Sequence, residues 1–408
     1  MFAHLSLPVR QYLIVTGNYW AFTLTDGALR MLVVLFFHQL GYSPLQIALL
    51  FIFYEFFGVV TNLVGGWLGA RLGLNRTMNI GLILQVGALL MLTLPTEYLT
   101  VIWVMVAQAL SGIAKDLNKM SAKSAIKLLV PDEAQGALYR WVALLTGSKN
   151  ALKGVGFFVG ALLLTWLGFS GAIAAMALML ALVWIFSMIT LREELGRMKS
   201  KPKFTDVFSK SRAVNVLAAA RLFLFASRDV WFVIALPVFL KEILGWDFWQ
   251  VGFFMACWVV GYGIVQSQAP RLTGKNSGRI PGRAAVVIWG AALSLLPGLI
   301  ALGFYTSIDL ATLLVVGLMV FGVLFAINSS LHSYLIVSYA RGEGVSLDVG
   351  FYYMANAMGR LIGTLLSGWL YMTQGLVACL WVASGLLVIA VVISLFLPAT
   401  RPVLPANP

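Results

Sequence analysis

The sequence predicts an all-α membrane protein with about twelve transmembrane helices. Of its 408 residues, 61% are hydrophobic and only 11% are charged, whereas a soluble domain carries about 25% charged residues. Apolar segments of about 20 residues, the length that crosses a ~30 Å hydrocarbon core, recur from one end of the chain to the other. Alternation of apolar and polar residues is weak, which argues against a transmembrane β-barrel.

The apolar runs place the individual spans. Their approximate limits are 12–38, 44–69, 77–95, 98–118, 137–167, 171–191, 214–240, 247–269, 284–304, 309–337, 348–371 and 375–397. The first span contains the polar stretch "TGNYWAFTLTDGALR". It is too long and too polar for a cleaved signal peptide, so we expect it to be retained.

Lysine and arginine concentrate in alternate loops. The loop after span two holds Arg71 and Arg76, whereas the opposite loops, such as "HQLGYS" and "PTEY", are nearly free of them. The positive-inside rule therefore places the basic loops and both termini in the cytoplasm. The net charge of +13 then reflects orientation in the lipid bilayer, and we expect no nucleic-acid partner.

The longest basic connection, "LREELGRMKSKPKFTDVFSKSR", divides the chain. We predict a first half of six spans over residues 1–191, a cytoplasmic linker over 192–213 and a second half of six spans over 214–408. The halves are weakly alike, since Asp26 falls near Asp229 when they are aligned. This layout resembles the major facilitator superfamily, in which the substrate site lies near the midplane, between the halves.

The loop after span two adds to that resemblance. It reads "GGWLGARLGLNR", with Arg71 and Arg76 where the superfamily carries basic residues and Ala70 where it carries an acid. The resemblance implies that Arg71 and Arg76 act in gating. The missing carboxylate puts the superfamily's cytoplasmic charge latch in doubt.

Several charged residues fall near the middle of predicted spans. They are Asp26 and Arg30 in span one, Glu55 in span two, Lys149 and Lys153 in span five, Arg228 and Asp229 in span seven, and Arg360 in span eleven. A charge at the centre of a span costs about 2.5–3.5 kcal/mol, so such side chains normally face a water-filled cavity. These residues are our candidates for a substrate site.

The cations among them outnumber the acids by five to three. Two unmatched cations in a low-dielectric interior would each cost several kcal/mol. We therefore predict an anionic substrate with about two negative charges, held by arginine forks and lysine ammonium groups.

Other interpretations of these charges stay open. The pairs could simply pin helices together, and Lys153 could reach the interface. Buried lysines can also lose their proton. The acids Asp26, Glu55 and Asp229 are candidate proton carriers, or partners that neutralise nearby arginines.

Span four ends in a cationic stripe. Lys115, Lys119, Lys123 and Lys127 recur every four residues and lie on one face of a continuing helix. The stripe could anchor to anionic lipid or draw anions into a cavity. We add the two deepest, Lys115 and Lys119, to the substrate-binding candidates, and Asp116 between them to the gating candidates.

Nothing in the sequence indicates an enzyme. It has no "GxxxxGK[ST]" phosphate loop and no histidine and cysteine pairs at metal spacing. Its only cysteines, Cys257 and Cys379, fall in different spans. We therefore expect a gradient-driven or exchanging carrier, with no cofactor and no metal, that acts as a monomer.

Five long segments resemble the ArsJ family of organoarsenical efflux permeases. They are "NYWAFTLTDGALRMLVV", "FYEFFGVVTNLVGGWLGARLGLNRTMNIG", "QALSGIAKDLNKMSAKSAIKLLVP", "YRWVALLTGSKNALKGVGFF" and "RLFLFASRDVWFVIALPVF". The resemblance implies a bacterial inner-membrane exporter of 1-arseno-3-phosphoglycerate. It also implies a companion glyceraldehyde-3-phosphate dehydrogenase that makes this ester from arsenate.

Three alternatives to that function remain. The first is a carrier of another phosphorylated organic anion, working by exchange or proton coupling. The second is a carrier of drug cations, for which we would expect more acids than bases in the core. The third is a receptor or scaffold built on a carrier fold, because fold does not dictate function.

Overall fold

The computed structural model describes residues 7–42, 50–131, 134–191, 195–200, 202–209, 211–273 and 281–399. This part of the chain contains eleven α-helices. They are α1 (Leu7–Gln39), α2 (Ile52–Leu72), α3 (Leu74–Met91), α4 (Val101–Leu129), α5 (Gln135–Thr190), α6 (Arg212–Phe232), α7 (Ala235–Glu242), α8 (Phe248–Leu272), α9 (Arg283–Gly303), α10 (Leu310–Tyr339) and α11 (Val345–Ser394). Two short 3-10 helices, Thr96–Tyr98 and Phe204–Val207, lie in connections.

Two of the helices each contain two of the predicted spans. Gly168 interrupts α5 with φ 67°, and Gly375 interrupts α11 with φ 78°. A side chain is rarely tolerated at such positive φ, so glycine is the residue expected at both breaks. With each arm counted separately, and with α6 and α7 forming span seven, the helices correspond to the twelve predicted spans.

Length and composition alone support most of these spans. Seven helical stretches of the described residues are long and apolar enough to cross a membrane, and two of them are the double helices α5 and α11. The helix of span two begins at Ile52, and residues 44–49 of the predicted span lie outside the described ranges. The predicted linker is also only partly described, so the division at residues 192–213 stays a prediction.

Glycines let α1 and α5 pack at backbone contact. A Cβ added to Gly27 would lie 2.5 Å from the carbonyl oxygen of Lys153, and one added to Gly160 would lie 2.4 Å from that of Ala28. The Gly156/Gly160 spacing in the sequence predicts such close packing. The structure confirms it.

The same device joins α6 to α11 in the second half. A Cβ on Gly359 would lie 2.1 Å from the carbonyl oxygen of Leu222, and one on Gly363 would lie 2.6 Å from that of Ala226. Gly359 and Gly363 have the same four-residue spacing, which also predicts close helix packing, and the structure shows that packing. Both pairs of helices carry candidate site residues, so these contacts decide which charges meet.

The helices of the two halves meet at one end of the bundle. We call it the basic end, because Arg71, Arg76, Arg212 and Arg341 lie there. On one side, Ser346 of α11 donates a hydrogen bond of 2.8 Å to the carbonyl oxygen of Gly66 in α2. Apolar side chains of α10 and α11 share one hydrophobic core with the first half, so the bundle is closed at this end.

A second contact between the halves closes the other side of the basic end. A Cβ on Gly147 of α5 would lie 2.5 Å from the carbonyl oxygen of Gly263 in α8. The Tyr139 hydroxyl lies 2.9 Å from that of Thr273, and Tyr334 of α10 donates to Gln135 at 3.3 Å. A path to the bundle centre from the basic end requires these helices to separate.

The described part of the linker crosses the corner between α2 and α3. The Met198 amide donates to the carbonyl oxygen of Ala70 at 2.9 Å, and the Trp67 indole donates to that of Pro202 at 3.1 Å. Ser209 donates to Asp348 of α11 at 2.7 Å. The linker thus holds the backbone at Ala70, the position where the superfamily carries an acid.

We expect Gly66→Ala to loosen the closed basic end. The new Cβ would lie 2.5 Å from the Ser346 carbonyl oxygen and 3.2 Å from the Gly350 Cα, closer than backbone atoms tolerate. A reporter cysteine at the buried Ser333, in a Cys257→Ser background, should then react with a water-soluble maleimide several-fold faster. Equal rates in the parent and in Gly66→Ala would contradict the predicted loosening. Gly87→Ala is the matched control, since a Cβ there meets no atom within 4 Å.

Candidate functional site

The midspan charges predicted from the sequence come together between the halves. They lie on α1, α2, α5, α6 and α11, and ion pairs join most of them into one network. Glu55, Arg30 and Arg360 are 17%, 23% and 25% exposed. These three side chains contact one another across α1, α2 and α11, and none of them is fully buried.

Asp26 is the acid of the first-half side of this network. Its side chain is only 4% exposed. The Tyr54 hydroxyl donates to Oδ1 of Asp26 at 2.8 Å, and Nζ of Lys153 lies 4.0 Å from Oδ2. The glycine contact between α1 and α5 brings Lys153 this close to α1.

Glu55 joins the two halves. Its Oε1 accepts a hydrogen bond of 2.7 Å from Nη2 of Arg360, on α11. The same oxygen lies 3.6 Å from Nη2 of Arg30, on α1. Two arginines from opposite halves therefore share a single carboxylate oxygen.

Asp229 is shared in the same way within the second half. Nε of Arg228 donates to Oδ1 at 2.5 Å, and Nε of Arg360 donates to Oδ2 at 3.3 Å. The close packing of Gly363 against α6 holds Arg360 beside this carboxylate, since a Cβ on Gly363 would lie 3.0 Å from the Cβ of Asp229. Arg360 thereby bridges two acids.

The surplus of cations persists in the folded chain. Arg30 has only a long contact to an acid that Arg360 already occupies, and its buried Nε and Nη2 atoms make no hydrogen bond with the described residues. Nζ of Lys149 donates to a neutral group, Oδ1 of Asn150, at 3.2 Å. The five cations do not each have a carboxylate of their own.

Aromatic rings take the place of the missing acids. The guanidinium carbon of Arg30 lies 4.5 Å from the ring centroid of Tyr54, and Nζ of Lys115 lies 3.7 Å from the same centroid. A ring face attracts a cation, worth about 2 kcal/mol when desolvated, without cancelling its charge. Such cations remain able to bind an anion.

Lys119 and Asp116 form a pair on their own helix. Nζ of Lys119 lies 2.5 Å from Oδ1 of Asp116, whose side chain is 2% exposed. The other oxygen of Asp116 has no hydrogen-bond partner among the described residues. The structure therefore places Lys119 beside an acid, and it places Asp116 against α2, where a Cβ on Gly58 would lie 3.1 Å from Oδ2.

The two arginine gating candidates lie far from this network, at the basic end. Arg71 stacks on Trp67 of its own helix, with 4.9 Å to the ring centroid, and Arg76 is exposed. The gating role of Arg71, Arg76 and Asp116 stays a prediction. The contacts that close this end come instead from glycines, hydroxyl groups and backbone atoms.

Three buried cations of the described residues, Arg221, Lys123 and Lys127, were not among our candidates. Arg221 on α6 and Lys123 on α4 are each 3% exposed. A signal for Arg221 was present, because it precedes Arg228 by seven residues and so lies two turns away on the same face. Lys123 belongs to the predicted stripe, but the apolar pattern sets its depth too close to the interface.

Comparison with known proteins identifies the fold. The model of the Major Facilitator Superfamily matches residues 15–281 and 217–408. No curated protein matches the chain. The human organic anion transporter MFSD10 (TETRAN) shares 16% identity at a TM-score of 0.74, over 96% of this chain and 100% of that one.

The Escherichia coli fucose:proton symporter FucP shares 11% identity at a TM-score of 0.74, over 97% of this chain and 100% of that one. A second FucP structure, in the outward conformation, gives the same score and identity over 96% of this chain. At these identities the likeness shows the fold alone. The predicted fold class, an all-α protein with two six-helix halves, is confirmed.

We expect Glu55 and Arg360 to be energetically coupled. Glu55→Gln and Arg360→Gln should each lower the free energy of unfolding by about 1–3 kcal/mol, because each leaves a partly buried charge without its partner. The double variant should lose less than the sum of the two losses. Reversible unfolding in mixed detergent micelles measures the free energy of unfolding of the parent protein, the two single variants and the double variant.

The control cycle pairs Glu55→Gln with Lys241→Gln, a substitution at an exposed residue of α7. Distant sites of this kind are expected to be additive. If the Glu55–Arg360 cycle were additive too, the observed contact would not contribute to stability.

Proposed function

Because this chain belongs to the major facilitator superfamily, whose members are transporters rather than enzymes, we propose that it is a secondary carrier that exports an organic arsenate or phosphate anion. The cargo we propose is 1-arseno-3-phosphoglycerate, so that export confers resistance to arsenate. The transport class follows from the family. The cargo and the direction are our proposal.

One observation carries the choice of an anion. Five cations at the centre of the bundle share three carboxylates, and the cations without an acid of their own rest on aromatic rings and an amide. An uncompensated buried charge costs several kcal/mol. An arriving anion with about two negative charges would remove that cost, whereas a cationic drug would increase it.

The chemistry of arsenic supports the oxyanion over arsenite. Trivalent arsenic is soft and prefers clustered thiolates. Cys257, on α8, is exposed and Cys379, on α11, is buried, and both are free thiols. Arginine and lysine groups instead match an arsenate or phosphate ester, and the resemblance of five long segments to organoarsenical efflux permeases points to the same cargo.

Export would proceed by alternating access. If the basic end is cytoplasmic, as the distribution of lysine and arginine predicts, this closed basic end corresponds to the state that releases cargo outward. Loading would require α2 to part from α11 and α5 from α8. The Glu55–Arg360 contact lies near the middle of the bundle, so it can persist while the basic end opens.

The setting is part of the proposal. We place the protein in the bacterial inner membrane, in contact with the lipid bilayer, with both termini in the cytoplasm and acting as a monomer. Glyceraldehyde-3-phosphate dehydrogenase would be its functional partner, because that enzyme can supply the arsenate ester. If another phosphorylated anion were the cargo, exchange or proton transfer by Asp26, Glu55 or Asp229 would drive its movement.

Removing the central cations should abolish resistance. In cells that also express the dehydrogenase, we expect Arg30→Gln, Lys149→Gln and Arg360→Gln to lower the tolerated arsenate concentration about tenfold or more, the effect of losing one charge-assisted contact. Growth curves measure this, and immunoblots of membranes normalise for protein level. Lys241→Gln should behave as the parent protein. Unchanged resistance in all three variants would contradict the role of the network.

Transport into everted vesicles tests the cargo directly. The dehydrogenase and its reactants are supplied outside the vesicles, where they generate labelled 1-arseno-3-phosphoglycerate, and parallel samples receive arsenate, arsenite or 3-phosphoglycerate alone. We expect accumulation of label only when the ester is generated. Accumulation of arsenite alone would overturn the proposal, and uptake of 3-phosphoglycerate alone would favour the carrier of another phosphorylated anion.

A further inference from the structure

We propose that Lys123 and Arg221 form a second oxyanion subsite, on the basic-end side of the central network, so that the protein takes a short substrate bearing an oxyanion at each end. This inference rests on the proposed function and deepens it. The central arginines would hold one end of such a substrate, and the new subsite would hold the other.

Lys123 is a buried ammonium group without an acid. Its Nζ donates to the Tyr353 hydroxyl, and it lies 4.7 Å from the centroid of the same ring. The charges that act on it are those of Arg221 and Lys119. Within the described residues, then, this cation is surrounded by a phenol and by two further cations.

Arg221 is a buried guanidinium in similar surroundings. Its Nε donates to Oδ1 of Asn356 at 2.8 Å, and its Nη1 donates to the carbonyl oxygen of Ser329 at 3.3 Å. Its flat face lies 4.0 Å from the ring centroid of Phe225. All of these contacts are to neutral groups, so its positive charge is not cancelled by any of them.

The two cations lie on opposite halves of the protein and meet at a pair of tyrosines. The rings of Tyr352 and Tyr353 lie 4.9 Å apart. Arg221 lies 5.4 Å from the first ring, and Lys123 contacts the second. A ligand between the halves at this level would therefore meet both charges.

Buried polar atoms without partners surround the same place. The Tyr352 hydroxyl and Nδ1 of His332 make no hydrogen bond with the described residues. The charge of Arg221 acts on both His332 and Tyr352. A buried polar atom without a hydrogen bond is destabilising, and the several oxygens of a phosphate or arsenate group could meet both atoms at once.

The spacing along α4 sets the length of the substrate. Successive lysines of the stripe rise about 6 Å, since four residues each contribute 1.5 Å. Lys115 lies over Tyr54, which also bonds Asp26 of the central network. Lys123 is two steps, or about 12 Å, nearer the basic end, with Lys119 between them. The two groups of cations are thus separated by about the length of a small molecule with two charged ends.

The position of the subsite also predicts the order in which an anion meets the two groups of cations. The Lys123–Tyr353 contact joins α4 of the first half to α11 of the second. Separation of the halves at the basic end would break it and expose both cations before the central network. The subsite would capture the anion first, and closure would then press it toward the central arginines.

Binding measurements on the full-length protein in lipid nanodiscs test the proposal. The probes are glycerol 3-phosphate, with one oxyanion, and glycerol 1,3-bisphosphate, with two on the same carbon chain. We expect the parent protein to bind the bisphosphate about tenfold or more tightly than the monophosphate, the effect of one added charge-assisted contact. Lys123→Gln and Arg221→Gln should lose most of this preference and keep the affinity for the monophosphate.

Three further variants separate binding from packing. Lys123→Arg keeps the charge and should keep the preference. Tyr353→Phe removes the contact between the halves but leaves the ammonium, so it should also keep the preference. Lys241→Gln is the control for general loss of positive charge. If Arg221→Gln does not fold, the Lys123 variants decide the matter, because Lys123→Arg keeps the positive charge that Lys123→Gln removes.

The outcomes are distinct. A preference that survives Lys123→Gln overturns the subsite, as does a Tyr353→Phe variant that loses the preference as fully as Lys123→Gln. Equal affinity of the parent protein for the two probes overturns the subsite while leaving the proposed function in place. If the parent protein binds neither probe, the proposed function falls and the subsite with it.

Discussion

The double bridge made by Arg360 is the interaction on which the rest of the site depends. Its guanidinium contacts Glu55 of the first half at 2.7 Å and Asp229 of the second half at 3.3 Å. A planar fork can satisfy two carboxylates at once, which a lysine could not do in the same geometry. Because one cation occupies two of the three central acids, the remaining cations are left with little compensation. The positive character of the central network follows from this sharing.

Backbone packing decides which charges can share. Gly27, Gly156 and Gly160 let α1 touch α5, and this contact brings Lys153 to Asp26. Gly359 and Gly363 let α11 touch α6, and this contact brings Arg360 to Asp229. The same relation, between the first and fifth spans of one half and the corresponding spans of the other, fits the internal repeat seen in the sequence. Small residues thus position the charged ones by letting the helix backbones approach closely.

The sequence predicts how deep each charged residue lies in the membrane, but it does not predict which residue it pairs with. The length of an apolar run fixes how far a residue lies from the membrane surface, so Arg30, Glu55 and Arg360 could be placed at mid-depth. Which helix faces which, and at what rotation, depends on contacts between segments far apart in the chain. For that reason the sharing of Glu55 by Arg30 and Arg360 was not foreseen. The i,i+3 spacing of Asp116 and Lys119 and the two-turn spacing of Arg221 and Arg228, in contrast, were local signals in the sequence. The closure of the basic end by backbone atoms and hydroxyl groups likewise has no signature in residue charge.

Fold alone does not select the cargo, since an organic anion transporter and a fucose:proton symporter share this architecture at 16% and 11% identity. The choice of cargo must come from the side chains of the central network. If each cation were paired with its own acid, the network would have no net charge for a ligand to meet. Protonation of an acid would then be the simplest way to change the net charge. Here the acids are few and shared, while Arg30, Lys115 and Lys123 rest on aromatic rings that stabilise a cation and leave its field intact. In the function proposed above, the substrate itself brings the missing negative charge to this network.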